Sequence, residues 1–269
     1  MGHTRLGPLP VTQKWNAVVE QVAGTRLTGY SVLPAASHVN TIAAETLDAA
    51  RSGLSKAAGD PGVRYTFYLL TQVALASRKN NWESALAQHG IRLSDDSTVF
   101  DLTVELQDAI DRHLRKKSRR ATDLSEMAQQ SAGEALMSLA GTGTLNLFHG
   151  SSTQVRNAVR SLSTKKGFGQ LGQRFFGRFV TRFLNFYLSR ATAARLGSPR
   201  LRDLGDIEQF DEALQTHCEQ SARIVRDFCG EWYSKTEYEK GIDLDNSSRF
   251  LAVAVKKLRR ELQHQGSEL

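Results

Sequence analysis

The stretch Arg174-Phe175-Phe176-Gly177-Arg178-Phe179-Val180-Thr181-Arg182-Phe183-Leu184-Asn185-Phe186-Tyr187-Leu188 decides the fold class. On a helix turning about 100° per residue, Arg174, Arg178, Arg182, Asn185 and Ser189 fall within one arc of about 80°. Phe175, Phe176, Phe179, Phe183, Phe186 and Tyr187 take the opposite side. An aromatic side this wide belongs in a core, and the arginines then line the outer surface.

The same helical period continues in both directions. Upstream, Pro10 opens a segment with Trp15, Val18, Val19 and Val22, ended by Gly24 and Gly29. Ser37 is expected to cap a helix that carries Ile42, Leu47 and Leu54. Asp60-Pro61 pairs an N-cap with proline at the first helical position. Asn80 or Asn81 opens a short helix through Trp82 and Leu86, stopped by Gly90. Ser97 starts a helix through Leu102, Leu106 and Ile110. Asp123 with Glu126 reads as a capping box, and Ser151 or Ser152 starts a helix through Val155 and Leu162. Downstream, Gly197-Ser198-Pro199 ends the aromatic helix. Asp206 opens a long one through Cys218 and Phe228, and the last begins near Ser247.

These readings predict an all-α protein of about ten helices, packed as one helical bundle or as two subdomains, 1–120 and 121–269. The basic link at 115–122 is the expected boundary, and the Gly-rich loop at 141–151 is a second break. No run of five or more residues alternates apolar and polar, so no strand is expected. No repeat of 20 to 50 residues is present.

The composition is that of an ordinary globular chain, 40% hydrophobic and 23% charged. The start lacks an apolar signal region, and the longest clean apolar run, Phe250 to Val255, is far shorter than a membrane span. Two cysteines make no disulfide framework. A soluble, cytoplasmic protein is expected.

The net charge of +7 is unevenly spread. Residues 1–110 hold 9 Lys/Arg and 10 Asp/Glu, residues 111–200 hold 16 and 4, and residues 201–269 hold 10 and 14. The middle third is therefore +12 and the last third −4. Two arrangements answer such a surplus: the acidic last third folds against it, or an outside anion covers it.

Three segments carry the candidates for phosphate contact. In Arg112-His113-Leu114-Arg115-Lys116-Lys117-Ser118-Arg119-Arg120, six of nine residues are cationic: Arg112, Arg115, Lys116, Lys117, Arg119 and Arg120. Such a cluster neutralises phosphates by counterion release. A loop from Lys165 to Gly172, led by Lys165 and Lys166, precedes a helix N-terminus, where anions gather. It contains Gly167-Phe168-Gly169-Gln170-Leu171-Gly172, a literal G-x-G-x-x-G. No strand precedes it and no acidic residue follows about 20 residues on, so it is not a dinucleotide fingerprint. Arg174, Arg178 and Arg182 form the third set, spaced as a rail for a phosphate backbone.

Chemistry beyond binding is sparse. His217, Cys218 and Cys229 lack a fourth ligand for structural zinc, and no catalytic, metal or cofactor motif is assigned. Arg259 and His264, separated by four residues on the last helix, resemble the short Arg/His motif of the HEPN ribonucleases. The resemblance covers six residues, and Arg260 stands where that motif carries a small polar residue. It implies RNA cleavage at a dimer interface. The aromatic helix, basic on one side, is also of the kind that lies on a membrane surface.

The functional expectation is a non-enzymatic binding or scaffold subunit whose basic centre contacts nucleic-acid phosphates. The alternative is a protein-interaction subunit of a larger assembly with an acidic partner or with further copies of itself. HEPN-like RNA cleavage and peripheral membrane binding follow.

Overall fold

A computed structural model of the chain describes residues 12–24, 33–50, 53–117, 120–141 and 151–266. Arg119, Pro10, Gly29 and most of the 141–151 loop lie outside them. Twelve α-helices occur among the described residues: α1 (Gln13–Ala23), α2 (Val39–Ala49), α3 (Gly53–Ala57), α4 (Pro61–Ala76), α5 (Trp82–Ala87), α6 (Val99–Lys116), α7 (Asp123–Ala140), α8 (Ser152–Arg160), α9 (Lys165–Ala194), α10 (Leu204–Ser221), α11 (Arg223–Lys240) and α12 (Leu244–Gln265). No strand is present among those residues, only an isolated bridge between Ser198 and Leu201. The fold is all-α. Among the described residues no helix is long and apolar enough to cross a membrane.

Two more helices are found than expected because two long ones are broken. α2 and α3 divide the segment led by Ile42. The segment from Asp206 onward breaks at Ala222 into α10 and α11, with neither glycine nor proline at the break. Cys218 and Cys229 therefore sit on different helices, both buried and unbridged.

Helix starts are set by side chains that satisfy the first free N–H groups. Asp60 Oδ1 accepts from the N–H groups of Gly62 and Val63 at 2.9 and 3.0 Å. Its Oδ2 accepts from the Thr122 hydroxyl at 2.6 Å, which ties the starts of α4 and α7 together. Several caps lie one to four residues from the expected starts, some before and some after them. Thr12 caps α1, Thr98 with Asp101 caps α6, Thr122 with Ser125 caps α7, Asp203 caps α10, and Asp243 with Asn246 caps α12. No side-chain cap bonds from His38, Asn81 or Ser151 to α2, α5 or α8.

The largest correction concerns the expected loop at 165–172. Those residues are the first two turns of α9, capped by the Thr164 hydroxyl, which accepts from Gly167 N–H at 3.0 Å. The glycines serve packing. α11 crosses α9 so closely that a Cβ on Gly169 would lie 2.6 Å from the Arg226 carbonyl oxygen. One on Gly172 would lie 2.6 Å from Cys229 Sγ, and Gly230 faces the Lys165 carbonyl in the same way.

α9 is the central element. α7 and α10–α11 pack along it, and α4 packs on α7 and α12. Phe175, Phe176, Phe179 and Phe183 of α9 are fully buried, as the wheel predicts. Phe67 of α4 lies within 5.6–6.3 Å, ring centre to ring centre, of Phe168, Phe175, Phe176, Trp232 and Phe250. Each buried ring contributes roughly 1.5–3 kcal/mol. The buried core runs without interruption from Trp15 to Leu262.

Two outcomes follow. Gly169→Ala drives a side chain into backbone and should cost ~1–3 kcal/mol in chemical denaturation. Gly59→Ala, whose nearest neighbour would be 3.5 Å away, should stay within about 0.5 kcal/mol. Equal costs would sink the close-crossing account. Burial also holds the imidazoles of His217, His89 and His38 below their ordinary value of 6.5. The unfolded chain then binds protons more readily, so stability should fall as the pH drops below 6.5 through the folded values. Thermal melts between neutral and mildly acid pH check this, and His217→Gln should flatten part of the decline.

Candidate functional site

α9 runs antiparallel to both of its neighbours. Glu134 of α7 meets Arg178 and Arg182, and Glu219 of α10 meets Arg174 and Arg178. Further along, Arg226 of α11 lies over Gly169. α7 and α10 pack on α9 rather than on each other, which leaves an open trough with α9 as its floor.

The trough has two adjoining hollows. One, of about 300 Å³, is lined by Leu139, Gln170, Gln173, Arg174, Thr216, Glu219, Gln220, Arg223 and Arg226. The other, of about 370 Å³, is lined by Met127, Gln130, Arg178, Thr181, Arg182, Asn185, Phe186 and Gln215. From Gln170 to Asn185 the floor is about 22 Å long at 1.5 Å per residue. A third hollow of about 420 Å³ continues past the Gln170 end, among Lys165, Lys166, Arg226 and Asp227.

The arginine row is where the sequence places it, but it is not free. Arg174 Nη1 donates to Glu219 at 2.6 Å. Arg178 lies 3.3 Å from Glu134 and 3.6 Å from Glu219. Arg182 donates to Glu134 and, at 3.1 Å, to Gln130. Three guanidinium groups thus share two carboxylates. Arg178 and Arg182 keep 26% and 24% of their side-chain surface exposed, so they remain reachable from the trough. Glu134 Oε2, Arg178 Nε and Asn185 Oδ1 are buried without a hydrogen bond. The first two lie 3.3 and 3.6 Å from an opposite charge, close enough for attraction without a hydrogen bond.

The other candidates lie at the two ends of α9. At one end, the start of α7 adjoins the Tyr187 region, where Asp123 acts on the Tyr187 hydroxyl. The C-terminus of α6 is at this end, with His113 stacked on Tyr65 at 3.6 Å. Arg112 donates to the Gly90 carbonyl at 2.6 Å and pairs with Glu105 and Asp108. Arg115, Lys116, Lys117 and Arg120 are exposed and make no ion pair among the described residues. Lys165 and Lys166 lie at the opposite end, about 33 Å of helix from Tyr187. Lys165 pairs with Glu231 at 3.2 Å, and Lys166 is exposed. The basic clusters therefore do not meet in one patch, and the trough runs between their two ends.

No known family, curated relative or solved structure matches the chain. Among the described residues no group of three or more His, Cys, Asp or Glu is arranged to hold a metal ion. Arg259 donates to the Ser55 hydroxyl at 3.0 Å. Five residues of helix turn His264 about 140° away from it. Glu134, Glu219 and the glutamines of the trough carry no signal in sequence, since their roles arise only when three helices meet.

Glu219 answers two arginines at once, which gives it more weight than a single surface pair of ~0.2–1 kcal/mol. Glu219→Gln is expected to cost ~1–2 kcal/mol at low ionic strength, with the loss shrinking in high salt. A salt-independent loss in urea titrations would show that packing, not charge, is responsible.

Proposed function

We propose that this protein is a non-enzymatic binding subunit that holds nucleic acid by its phosphates, along the α9 trough and the α6 terminus. The observation that carries this reading is the row Arg174, Arg178 and Arg182 on the floor of an open trough. Successive arginines rise about 6 Å along the helix. The glutamate pairs hold them in place and leave further N–H donors for an incoming oxyanion. Arg115, Lys116, Lys117 and Arg120 extend the positive field at one end, and Lys166 at the other.

The competing readings have less support. The aromatic side of α9 is core, so placing it in a membrane surface would mean unfolding the protein. A protein-interaction role draws on Phe100 and Val104, exposed one turn apart on α6. That patch lies away from the charge which sets the middle third apart.

Fluorescence anisotropy with a labelled oligonucleotide tests the proposal. Binding at low salt should weaken on a log–log plot with a slope of about −0.7 per phosphate neutralised on a single strand. Replacing Arg115, Lys116, Lys117 and Arg120 by Ser should flatten that slope by up to about 3. Undetectable binding at low ionic strength overturns the reading.

A further inference from the structure

The walls of the trough are unlike a simple phosphate rail. Gln130 and Met127 line the α7 side, Gln215, Thr216 and Gln220 the α10 side, and Gln170, Gln173 and Asn185 the floor. A phosphate chain offers acceptors only, and arginine alone suffices for it. Side-chain amides present donors and acceptors together; Gln173 and Gln215 already donate to Glu219 and Gln130 accepts from Arg182, whereas the Gln170 and Gln220 amides make no hydrogen bond among the described residues. Such amides match a ligand edge that carries both, and the edges of nucleobases do.

Width points the same way. Packed helices lie ~8–10 Å apart, so the axes of α7 and α10 on either side of α9 are at most ~20 Å apart. A helix is ~10 Å across, which leaves a clear gap of at most ~10 Å. A B-form duplex, whose major groove alone is about 12 Å wide, does not enter. One strand does, and a floor of about 22 Å holds about four nucleotides, the low end of known single-strand sites.

From this width and these amides we infer that the trough takes a single-stranded nucleic acid, with phosphates on the arginines and base edges against the glutamines. The inference rests on the nucleic-acid reading above and narrows it. It assigns the affinity to two separable parts. The arginines and the free lysines set the salt dependence. Gln130 and Gln220, exposed on opposite walls, contribute contacts that carry no charge.

The test compares a labelled single strand of about twelve nucleotides of mixed sequence with its own duplex. Binding is measured across a salt series, with poly-glutamate as competitor. The single strand should bind at least about tenfold more tightly than the duplex at equal salt. The double substitution Gln130→Ala with Gln220→Ala touches exposed side chains, and circular dichroism checks that it folds. It should weaken single-strand binding by about tenfold with an unchanged salt slope. Equal affinity for strand and duplex overturns the trough assignment and leaves phosphate binding standing. So does an unaltered affinity in the folded double variant. Displacement by poly-glutamate at the same charge concentration moves the surface to acidic proteins and overturns the inference. Absence of binding to either nucleic acid at low salt removes both readings together.

Discussion

The approach of α11 to α9 is the constraint on which the rest depends. Two helix backbones come within carbonyl contact because Gly169, Gly172 and Gly230 have no side chains at the crossing. α10 is then laid along the next stretch of α9, with Ala222 at the turn between the two. That placement brings Glu219 under Arg174 and Arg178, and it sets the second wall of the trough. α7 supplies the first wall, fixed in turn by the bond between Asp60 and Thr122. The trough is therefore a by-product of core geometry. Its floor is the polar side of a helix whose other side is the densest aromatic packing in the molecule.

Charge follows from the same arrangement. The surplus between residues 111 and 200 is answered in part from within. Glu219 and Glu231 come from the acidic last third, and Glu134 comes from the middle third itself. Among the described residues, Arg115, Lys116, Lys117, Arg120, Arg160, Lys166, Arg190 and Arg195 are exposed and make no ion pair, and they lie at or near helix ends. The first of the two arrangements open to the sequence, internal pairing with carboxylates, is thus realised in part. The paired arginines are held in position, and the unpaired cations extend the field beyond them.

Much of the fold was legible because helix signals are local. The aromatic side of α9, the Asp60-Pro61 start and the Gly24 stop are written in a few adjacent residues, and the structure has them there. Caps such as Thr98 and Asp203 were misplaced by one to three residues because neighbouring Ser, Asp and Thr compete for the same role. The glycines at 167–172 read as a loop because glycine is a poor helix former on its own. Their purpose is visible only with α11 in place. The break at Ala222 has no local marker at all. Of the site, the row Arg174, Arg178, Arg182 and Asn185 was readable as one face. Glu134, Glu219 and the glutamine walls were not, since each lies tens of residues from its partner.

The crossing also shelters a chemical reporter. Cys229 lies against Gly172, and Cys218 sits on α10 nearby, both fully enclosed. Burial pushes the Cys218 thiol up to about 12 and that of Cys229 higher still, so neither forms a thiolate at neutral pH. Alkylating reagents consequently reach these sulfurs only in molecules whose α9 and α10–α11 have momentarily parted. The labelling rate is then a clock for that separation, supplied by the native chain without an added probe.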